Sequence, residues 1–378
     1  MNIKIEKADL VSALRNAGMI RPDKVNIIPA APGKIIVNAS EKGHGGVVTQ
    51  SVVECVVEGS GGAFQLPYAN FRAVIDSMPD GVMDIQPSGP DAVTVRNGRT
   101  RLKTRALFDA AVDALSIGGA SARCELGGKA LRQAIGRTSH AMAEKDPRAF
   151  LNTLRLEISQ GLAEVVATDG RRLMLSRFNA DTANHGGDIA VTVVNTAVPL
   201  LAAMAEAGDV AINLIGKTVV IERGEWLCRV PVIEGYPNWR KVMGGIEPSD
   251  PQFTVDATTM LAAMRRMIVV GDGESNGTRF GCLIRATTTD DGAALRIALA
   301  ENESEDVMAV ESGAGDIDMG LDARQIADAL SAISAGKLRL VYLKGSNGVG
   351  NGRLIIVPDE NHDLSVCAFA STITECRI

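Results

Sequence analysis

Residues 144–178 read EKDPRAFLNTLRLEISQGLAEVVATDGRRLMLSRF, and this stretch decides the fold. Its apolar-rich runs, which are typical of β-strands, cover residues 151–158, 163–167 and 173–178. Asp169-Gly170 between the last two runs indicates a hairpin, because a type I′ turn needs positive φ at both central residues. An isolated turn of this composition is most often a solvated loop. The meaning of its neighbours Arg171 and Arg172 therefore depends on the rest of the chain.

The bulk composition indicates a folded protein with more than one domain. At 378 residues the chain exceeds one ordinary core, and a length of about 150 residues per domain favours two or three. The hydrophobic share of 46% and the charged share of 22% are ordinary for a globular protein. A net charge of −6 argues against a generally basic protein that coats nucleic acid, but it leaves room for a locally basic surface.

The cysteines and the N-terminus favour the cytoplasm. Six cysteines are scattered without a Cys-x-x-Cys pair, which suits free thiols in a reducing compartment. The first ten residues, MNIKIEKADL, lack the apolar run of a signal peptide. No apolar run approaches the length of about 18 residues that a membrane span needs. We therefore expect a cytoplasmic protein that does not span a membrane.

A switch from strand spacing to helix spacing recurs along the chain. It occurs in three places with the same offsets: Ile5/Leu10/Leu14, Leu126/Leu131/Ile135 and Val255/Met260/Met264. Asp256 fits the N-cap of the helix in the third copy. A second set begins at Leu66, Val193 and Leu321, which are 127 and 128 residues apart, and each copy returns to a strand. Self-similarity at a fixed spacing is the mark of a repeated unit.

The repeat has the size of a domain, and it predicts an α+β fold of three similar domains. Each domain is built from two strand–helix–strands halves. Interruptions near Ser121 and between Pro248 and Pro251 divide the chain into residues 1–121, 122–248 and 249–378. The alternative is a chance alignment of common amphipathic patterns. Because two independent sets of landmarks keep nearly the same spacing, we favour the repeat.

Motifs for catalysis and cofactor binding are weak. Gly216-Lys217-Thr218 resembles the end of a phosphate-binding loop, but Ala211 stands where that loop needs glycine, and a strand pattern follows. We predict a hairpin loop there. The four histidines share no metal-ligand spacing, and no nucleophile–histidine–acid set stands out. Asp169 is the best lone acid, but it suits local backbone hydrogen bonds in its turn. We therefore predict no enzyme activity and no metal or cofactor.

The predicted helices carry more cations than acids. The cations are Lys7, Arg15, Arg72, Lys129, Arg132, Arg137, Arg265, Arg266 and Arg324. The fourth helix, predicted at residues 195–205, has none. Charged helix exteriors are common, yet helices on one face of repeated domains could line a concave basic surface. Duplex DNA carries about one charge per 1.7 Å, so such a surface would bind it without reading its sequence.

Three stretches of the predicted second domain resemble a known family. They are Asp146-x-Arg148 followed by Phe150-Leu151-Asn152, then residues 166–173 (VATDGRRL), and residues 234–242 (EGYPNWRKV). The family is that of the bacterial sliding clamps, the beta subunits that make the replicative DNA polymerase processive. The second stretch is quite specific to that family, and the threefold repeat extends the resemblance over the whole chain.

The resemblance implies a homodimer closed head to tail, in which six similar domains form a ring around duplex DNA. Such a ring tethers the replicative DNA polymerase, and a clamp loader opens it with its own ATP. Residues 100–107 and the helix end at Val269-Val270 match the parts that close the ring. The positions that match DNA contacts are Arg21, Arg72, Lys145 and Arg148.

The family also has a docking pocket for short extended peptides rich in Gln, Leu and Phe. Polymerases, the clamp loader and other clamp-motif proteins insert such peptides. The matching residues are Leu151, Thr168, Gly170, Arg171, Arg172, Leu173, Pro237, Lys241 and Val242. Leucine, valine and proline suit an apolar floor, while the cations and threonine suit the polar groups of the peptide.

The chain departs from the family in three places. Lys241 stands where the family has arginine, which removes a bidentate contact. Residues 374–378 (TECRI) replace a tail of the Met-Pro-Met-Arg-Leu type, and Asn195-Thr196 replace a basic pair. These departures keep open a peptide-binding adaptor that no longer closes on DNA. A third hypothesis is a repeat-built enzyme centred on Asp169 and the arginines beside it, although no acid–base or nucleophile partner is visible.

Overall fold

The structure is a computed structural model, and it describes most of the chain. The described residues are 1–30, 32–41, 46–108, 112, 114–180, 187–244, 249–272, 281–289, 292–299, 304–333, 336–343, 352–358 and 365–370. The helices in this part of the chain are α1 (Lys7–Gly18), α2 (Tyr68–Ser77), α3 (Gly128–Thr138), α4 (Val198–Ala207), α5 (Trp239–Met243), α6 (Ala257–Asp272) and α7 (Ala323–Ala332). None of them is long and apolar enough to span a bilayer.

The strands fall into three runs along the chain. The first run contains β1 (Asn2–Glu6), β2 (Lys24–Pro29), β3 (Lys34–Ser40), β4 (Val48–Glu54), β5 (Val56–Glu58), β6 (Phe64–Pro67), β7 (Val82–Pro87), β8 (Ala92–Asn97), β9 (Thr100–Arg105) and β10 (Leu107–Phe108). The second contains β11 (Ala122–Leu126), β12 (Thr153–Ser159), β13 (Leu162–Thr168), β14 (Arg172–Asn179), β15 (Ile189–Val194), β16 (Val210–Ile215), β17 (Thr218–Arg223) and β18 (Trp226–Pro231). The third contains β19 (Gln252–Asp256), β20 (Gly281–Thr289), β21 (Gly292–Leu299), β22 (Glu305–Ala309), β23 (Ser312–Ala314), β24 (Ile317–Asp322), β25 (Lys337–Leu343), β26 (Arg353–Pro358) and β27 (Ser365–Ala370).

The order of elements repeats along the chain. A strand, a helix and several strands, followed by a second helix and further strands, begin in turn at β1, β11 and β19. This order agrees with the predicted α+β fold of repeated strand–helix–strands halves. The domain limits at residues 121 and 248 stay a prediction, and Pro248 lies outside the described residues.

The first of two compact units contains residues 1–132, 158–161 and 180–233. One of its sheets has the strand order β5-β1-β7-β8-β9, and the other has the order β10-β6-β2-β3-β4-β18-β17-β16-β11. The predicted apolar positions of α1 and α2 belong to its core. They are Leu10, Leu14, Phe71 and Ile75, all fully buried. The helical spacing read from the sequence therefore marks the face of each helix that the core buries.

The second unit contains residues 133–157, 162–179 and 234–378. Within it the larger sheet runs β12-β13-β14-β27-β26-β25-β19-β23, and a smaller sheet runs β22-β21-β20-β24. Helices α6 and α7 pack against each other. Met260 and Met264 on α6, like Ile326 and Leu330 on α7, are buried at the positions that the sequence pattern predicts.

The predicted hairpin is present, but its turn differs from the prediction. Strands β13 and β14 pair antiparallel along their length. The turn is not type I′, because φ is positive at Gly170 (+89°) and not at Asp169. The Asp169 carboxylate instead accepts hydrogen bonds from the backbone nitrogens of Arg171 (2.9 Å) and Arg172 (3.0 Å). A side chain that satisfies backbone donors in this way favours a longer turn.

Two predicted elements begin later than expected. The strand predicted at residues 151–158 begins as β12, after a 3₁₀ turn at Ala149–Asn152 that Leu151 closes by donating to the Arg148 carbonyl at 2.9 Å. The helix predicted at residues 195–205 is α4, because the Ala197 nitrogen first closes a turn on the Val194 carbonyl at 2.8 Å. Local turns satisfy the backbone in both cases before the regular element starts.

Two smaller predictions are confirmed, and one helix was not predicted. The loop at Gly216-Lys217-Thr218 joins β16 and β17 as a hairpin. Asp256 caps α6, since its Oδ1 accepts a hydrogen bond from the Thr259 nitrogen at 2.7 Å. The short helix α5 has no signal in the apolar spacing, and the Asn238 side chain caps it.

Candidate functional site

The turn that joins β13 to β14, residues 168–173, is the centre of the candidate site and is called here the arginine turn. Two side chains hold it. The Thr168 hydroxyl donates to the Arg172 carbonyl at 2.7 Å and accepts from the Gly170 nitrogen at 3.1 Å. Asp169 binds two further backbone nitrogens of the turn. These bonds satisfy donors that a loose loop would leave to water, so the turn has one defined shape.

The guanidinium of Arg172 is held by three acceptors. Nε donates to Asp169 Oδ2 at 3.2 Å, and Nη1 donates to Asp328 Oδ2 at 3.2 Å. Nη2 donates to the carbonyl of His140 at 2.7 Å. The Arg172 side chain is only 11% exposed. It therefore joins the arginine turn to α7, which carries Asp328, and to the segment that follows α3.

His140 lies beside this guanidinium and stays neutral. Burial lowers the pKa of His140 to about 4, and the positive charge of Arg172 acts in the same direction. The nitrogen Nε2 of His140 is buried and has no hydrogen-bond partner among the described residues. A neutral ring avoids a second positive charge next to Arg172.

The loop before β12 packs against the arginine turn. Arg148 makes a two-pronged pair with Asp146, from Nε to Oδ1 and from Nη2 to Oδ2, each at 2.9 Å. The backbone nitrogen of Asp146 donates to Asn152 Oδ1 at 2.9 Å, and Asn152 Nδ2 donates back to the Asp146 carbonyl at 2.8 Å. This explains the spacing of Asp146, Arg148 and Asn152 in the sequence. The buried Leu151 side chain reaches the turn at Gly170.

The helix α5 forms the other part of the candidate site. Its Trp239 is buried in a cluster with Val166, Leu173 and Leu175 of the hairpin and with β25 and β26. Lys241 and Val242, further along the same helix, are exposed. Pro237 is half-buried just before the helix. Leu173 is thus the residue that belongs both to the arginine turn and to the cluster beneath α5.

A network of ion pairs fixes α5 to the sheet. Arg240 Nη1 donates to Glu157 Oε2 at 2.6 Å, and Nη2 donates to the buried Glu164. Arg177 Nε reaches the other oxygen of Glu164 at 2.7 Å. The Arg240 guanidinium also lies 4.0 Å from the ring centroid of Trp239. A charge that satisfies two carboxylates and an aromatic face restrains the helix that carries it.

The nine residues of the predicted docking pocket all belong to the second compact unit. The six that end at Leu173 meet around the arginine turn, and Leu173 connects them to the three around α5. Leu151, Thr168 and Leu173 are buried, Arg172 and Pro237 are half-buried, and the others are exposed: Gly170, Arg171, Lys241 and Val242. The arrangement is an apolar base with an exposed basic rim, which can bind a short peptide with apolar anchors.

The four predicted DNA-contact residues differ in their surroundings. Arg21 is exposed at φ +50° just after α1. Arg72 donates to Asp76 at 2.7 Å and to the Val11 carbonyl at 3.1 Å, so it links α2 to α1. Lys145 is exposed, whereas Arg148 is paired with Asp146. The charges of Arg21 and Lys145 are therefore the least engaged of the four.

The sequence reading missed the residues that support this site. Asp328 lies 156 residues from its partner Arg172, so no local pattern reveals the contact. His140 contributes only its backbone carbonyl to Arg172. Arg240 stood in a recognised stretch, but its carboxylate partners were not predicted. Among the described residues, no group of three or more His, Cys, Asp or Glu side chains could hold a metal.

The chain matches known proteins in sequence and in fold. A family profile described as "DNA polymerase III beta subunit, central domain" matches residues 125–238. The "Beta sliding clamp" of Pseudomonas aeruginosa is 25% identical over 296 residues, 76% of each chain. That of Vibrio cholerae is 21% identical over 353 residues, 90% of this chain and 92% of its own.

Solved structures of sliding clamps share the fold of this chain. The crystal structure of the DNA polymerase III subunit beta from Pseudomonas aeruginosa superposes with a TM-score of 0.83 at 22% identity, covering 98% of this chain and 99% of its own. The sliding clamp from Bacillus subtilis reaches 0.82 at 16% identity, covering 99% and 100%. The family profile and the curated relatives are those of bacterial sliding clamps, and the solved clamp structures share the fold of this chain. The resemblance read from the sequence is thereby confirmed, together with the α+β clamp fold.

Sliding-clamp relatives bear on the earlier alternatives. They are named as sliding clamps and as the beta subunit of DNA polymerase III. The prediction that the chain is not an enzyme is confirmed by these relatives, and the enzyme hypothesis is set aside. The divergent tail at residues 374–378 lies outside the described residues.

Proposed function

We propose that the chain is a DNA sliding clamp whose two copies close a ring around duplex DNA and tether a replicative DNA polymerase. The observation that carries the proposal is the clamp fold over 98% of the chain, shared with relatives named as sliding clamps. A closed ring holds DNA by topology, so it needs no sequence-specific contact and leaves the clamp free to slide. A clamp loader opens the ring in this proposal.

In the part of the chain that the structure describes, the two strands of the proposed ring contact lie at unpaired sheet edges. Strand β9 ends the order of its sheet, and β22 ends that of another. Exposed apolar side chains lie near both edges, with Leu107 just after β9, Val307 on β22 and Val269 on the neighbouring α6. Pairing β9 of one copy with β22 of the next would satisfy both edges and cover these side chains. Repeated by a twofold axis, the contact gives a closed homodimer.

The charges of the two edges are complementary. Strand β9 exposes Arg101, Lys103 and Arg105. Strand β22 begins with Glu305 and Asp306, whose ion pairs with Arg296 and Arg266 offset part of their negative charge. Opposite charges on the two strands speed the encounter of two copies and disfavour pairing of β9 with itself.

DNA contact in the proposed ring would come from exposed cations. Arg15, Arg21, Lys129, Lys145 and Arg265 are exposed and make no ion pair with any described residue. Arg72, Arg132 and Arg266 are paired with carboxylates, so we expect them to contribute less to DNA contact. Each unpaired cation near a phosphate releases counterions, so the contact weakens as salt rises.

The site around the arginine turn and α5 is proposed to dock the short peptides of polymerases, loader and other clamp-motif proteins. Its exposed Val242 and half-buried Pro237 supply apolar contact area beside the buried leucines, and its exposed cations supply hydrogen-bond donors. A peptide anchored there would tether its owner to the ring.

A topological experiment tests the clamp function. The protein is threaded onto a linear duplex with biotin at both ends, and streptavidin then blocks the ends. We expect the protein to stay with the capped duplex through gel filtration in high salt, and to leave when a restriction enzyme cuts the duplex. Loss before cutting would contradict the ring. Peptide binding without retention on DNA would instead indicate the adaptor.

A further inference from the structure

The two arginines of the arginine turn have different surroundings. A guanidinium has five N–H donors, and Arg172 uses three of them on Asp169, Asp328 and the His140 carbonyl. Its side chain is almost enclosed. Arg171 is exposed, and only its backbone nitrogen has a partner among the described residues. Arg172 is therefore committed to the protein, whereas Arg171 keeps all its side-chain donors for a ligand.

The carboxylates around the turn are already engaged. Asp169 accepts two backbone nitrogens and Arg172. Asp328 binds Arg172, and Asp146 binds Arg148. Within the described part of the chain, Arg171 thus has no acid of its own to neutralise it. Lys241 on α5 is likewise exposed without a side-chain partner in the described part of the chain.

We infer that Arg172 is a positioning residue, held by Asp328, and that Arg171 selects partner peptides that carry a carboxylate beside their apolar anchor. This inference rests on the proposed peptide-docking function and names its partner chemistry. A carboxylate at Arg171 gains a charge-assisted hydrogen bond, which an amide of the same size does not. Arg172 acts through the shape of the turn, so its loss affects acidic and neutral peptides alike.

Asp328 has a defined part in this arrangement. It is the acceptor that links Arg172 to α7. The ion pair is partly exposed, with Asp328 55% accessible, so removing it does not bury an unpaired charge. Without Asp328 the guanidinium keeps Asp169 and His140 but loses the tie to the helix. We expect a less well-fixed turn in a folded protein.

Two fluorescent peptides test the inference on the full-length protein. Both are extended and share the same Leu and Phe anchors, and they differ only in Glu or Gln beside the anchor. Fluorescence anisotropy gives Kd for each peptide with the unaltered protein and with Arg171→Gln, Arg172→Gln, Asp328→Asn and Asp328→Glu. We expect the unaltered protein to prefer the Glu peptide about tenfold.

Each variant has a distinct expected result. Arg171→Gln removes the preference, because the Kd for the Glu peptide rises about tenfold relative to the Kd for the Gln peptide. Arg172→Gln and Asp328→Asn raise Kd for both peptides by a similar factor and keep the preference, while Asp328→Glu restores most of the affinity. Thermal unfolding of each variant separates a loosened turn from a loss of fold.

Four results would overturn the inference. A preference for the Glu peptide that survives Arg171→Gln would show that Arg171 does not select the carboxylate. A preference that only Arg172→Gln removes would give the selection to Arg172 instead. Equal binding of both peptides by the unaltered protein would end the acid selection but leave the docking function standing. If neither peptide bound, the docking function and the inference would fail together.

Discussion

Gly170 lies so close to Arg148 that a Cβ atom added to the glycine would be 3.3 Å from Arg148 Nη2. It would also lie 3.6 Å from Leu151 Cδ1. The arginine turn and the loop before β12 therefore meet at a position where only hydrogen fits without a shift. The φ of +89° at Gly170 adds a backbone conformation that other residues adopt at a cost.

We predict that Gly170→Ala lowers both stability and peptide affinity. The backbone strain costs about 1–2 kcal/mol, and the new methyl group makes Arg148 shift slightly while it contacts Leu151 at an ordinary van der Waals distance. Because both residues border the docking site, peptide Kd should rise. Urea unfolding measures the first effect, and fluorescence anisotropy with a clamp-motif peptide measures the second.

Gly216→Ala is the matched control. Gly216 also has a positive φ (+57°) in a hairpin loop, but an added Cβ would meet nothing within 4 Å. It should show the stability loss without the change in peptide affinity. If Gly170→Ala bound the peptide as well as the unaltered protein does, the close approach would have no bearing on docking.

We predict that Arg240→Met loosens α5. The substitution keeps an apolar chain over Trp239 but removes one partner of Glu157, which keeps Arg155, and one partner of Glu164, whose side chain is only 9% exposed. Arg177 remains on Glu164, so the cost should be about 1–3 kcal/mol rather than that of a lone buried charge. Peptide affinity should fall because α5 carries Lys241 and Val242. Urea unfolding and anisotropy report the two effects.

An exposed ion pair gives the comparison. Lys34 donates to Glu225 at 2.9 Å, and both side chains are accessible. Lys34→Met should cost less than about 1 kcal/mol and leave peptide binding unchanged. Equal losses in the two variants would mean that the Arg240 network contributes no more than an ordinary surface pair.

The sequence predicted the fold well because its signals are local. Apolar spacing placed α1, α2, α6 and α7 at the correct positions, and alternation placed β13 and β14. Errors occurred where a side chain or a local turn competes with regular structure. The Asp169 carboxylate accepts hydrogen bonds from two backbone nitrogens, and these bonds favour a longer turn than the type I′ turn that we predicted. Because Leu151 closes a 3₁₀ turn, β12 begins two residues later than predicted, at Thr153.

The candidate site was only partly predictable for a related reason. Its rim and floor belong to three short stretches that resemble a known family, so they could be named. The residues that support it come from elsewhere in the chain. Asp328 and Arg172 meet through folding alone, and Glu164 read as an ordinary strand residue although the fold buries it against Arg177 and Arg240.

We predict that His140 makes stability depend on pH between about 4 and 6.5. Burial lowers its pKa in the folded protein to about 4, whereas the unfolded chain binds the proton near its ordinary value of 6.5. Stability is therefore fully present above pH 6.5 and falls as the pH falls towards 4. The shift corresponds to about 3 kcal/mol. Urea unfolding at several pH values measures it.

Carboxylates also titrate in part of that range, so His140→Gln is measured beside the unaltered protein. The difference between the two curves isolates the histidine because every other group is shared. The free energy of unfolding of the unaltered protein minus that of His140→Gln should decrease as the pH is lowered from 6.5 to 4. A constant difference would mean that His140 is protonated equally in both states.

We predict that Val307→Asp dissociates the dimer. Val307 is 53% exposed on β22, and the proposed contact with β9 of a second copy would bury it. A buried carboxylate there should raise the dimer Kd at least tenfold, or about 1.4 kcal/mol. Because the side chain is exposed in one copy, the variant should unfold at the same urea concentration. Sedimentation equilibrium at micromolar protein gives the mass.

Val56→Asp tests whether the effect belongs to the proposed edge. Val56 is 55% exposed on β5, at the opposite end of the sheet that contains β9. It introduces the same charge on a comparably exposed strand edge, but it lies outside the proposed contact. The variant should sediment as a dimer. A monomeric Val56→Asp beside a dimeric Val307→Asp would move the contact to β5 and remove the pairing of β9 with β22.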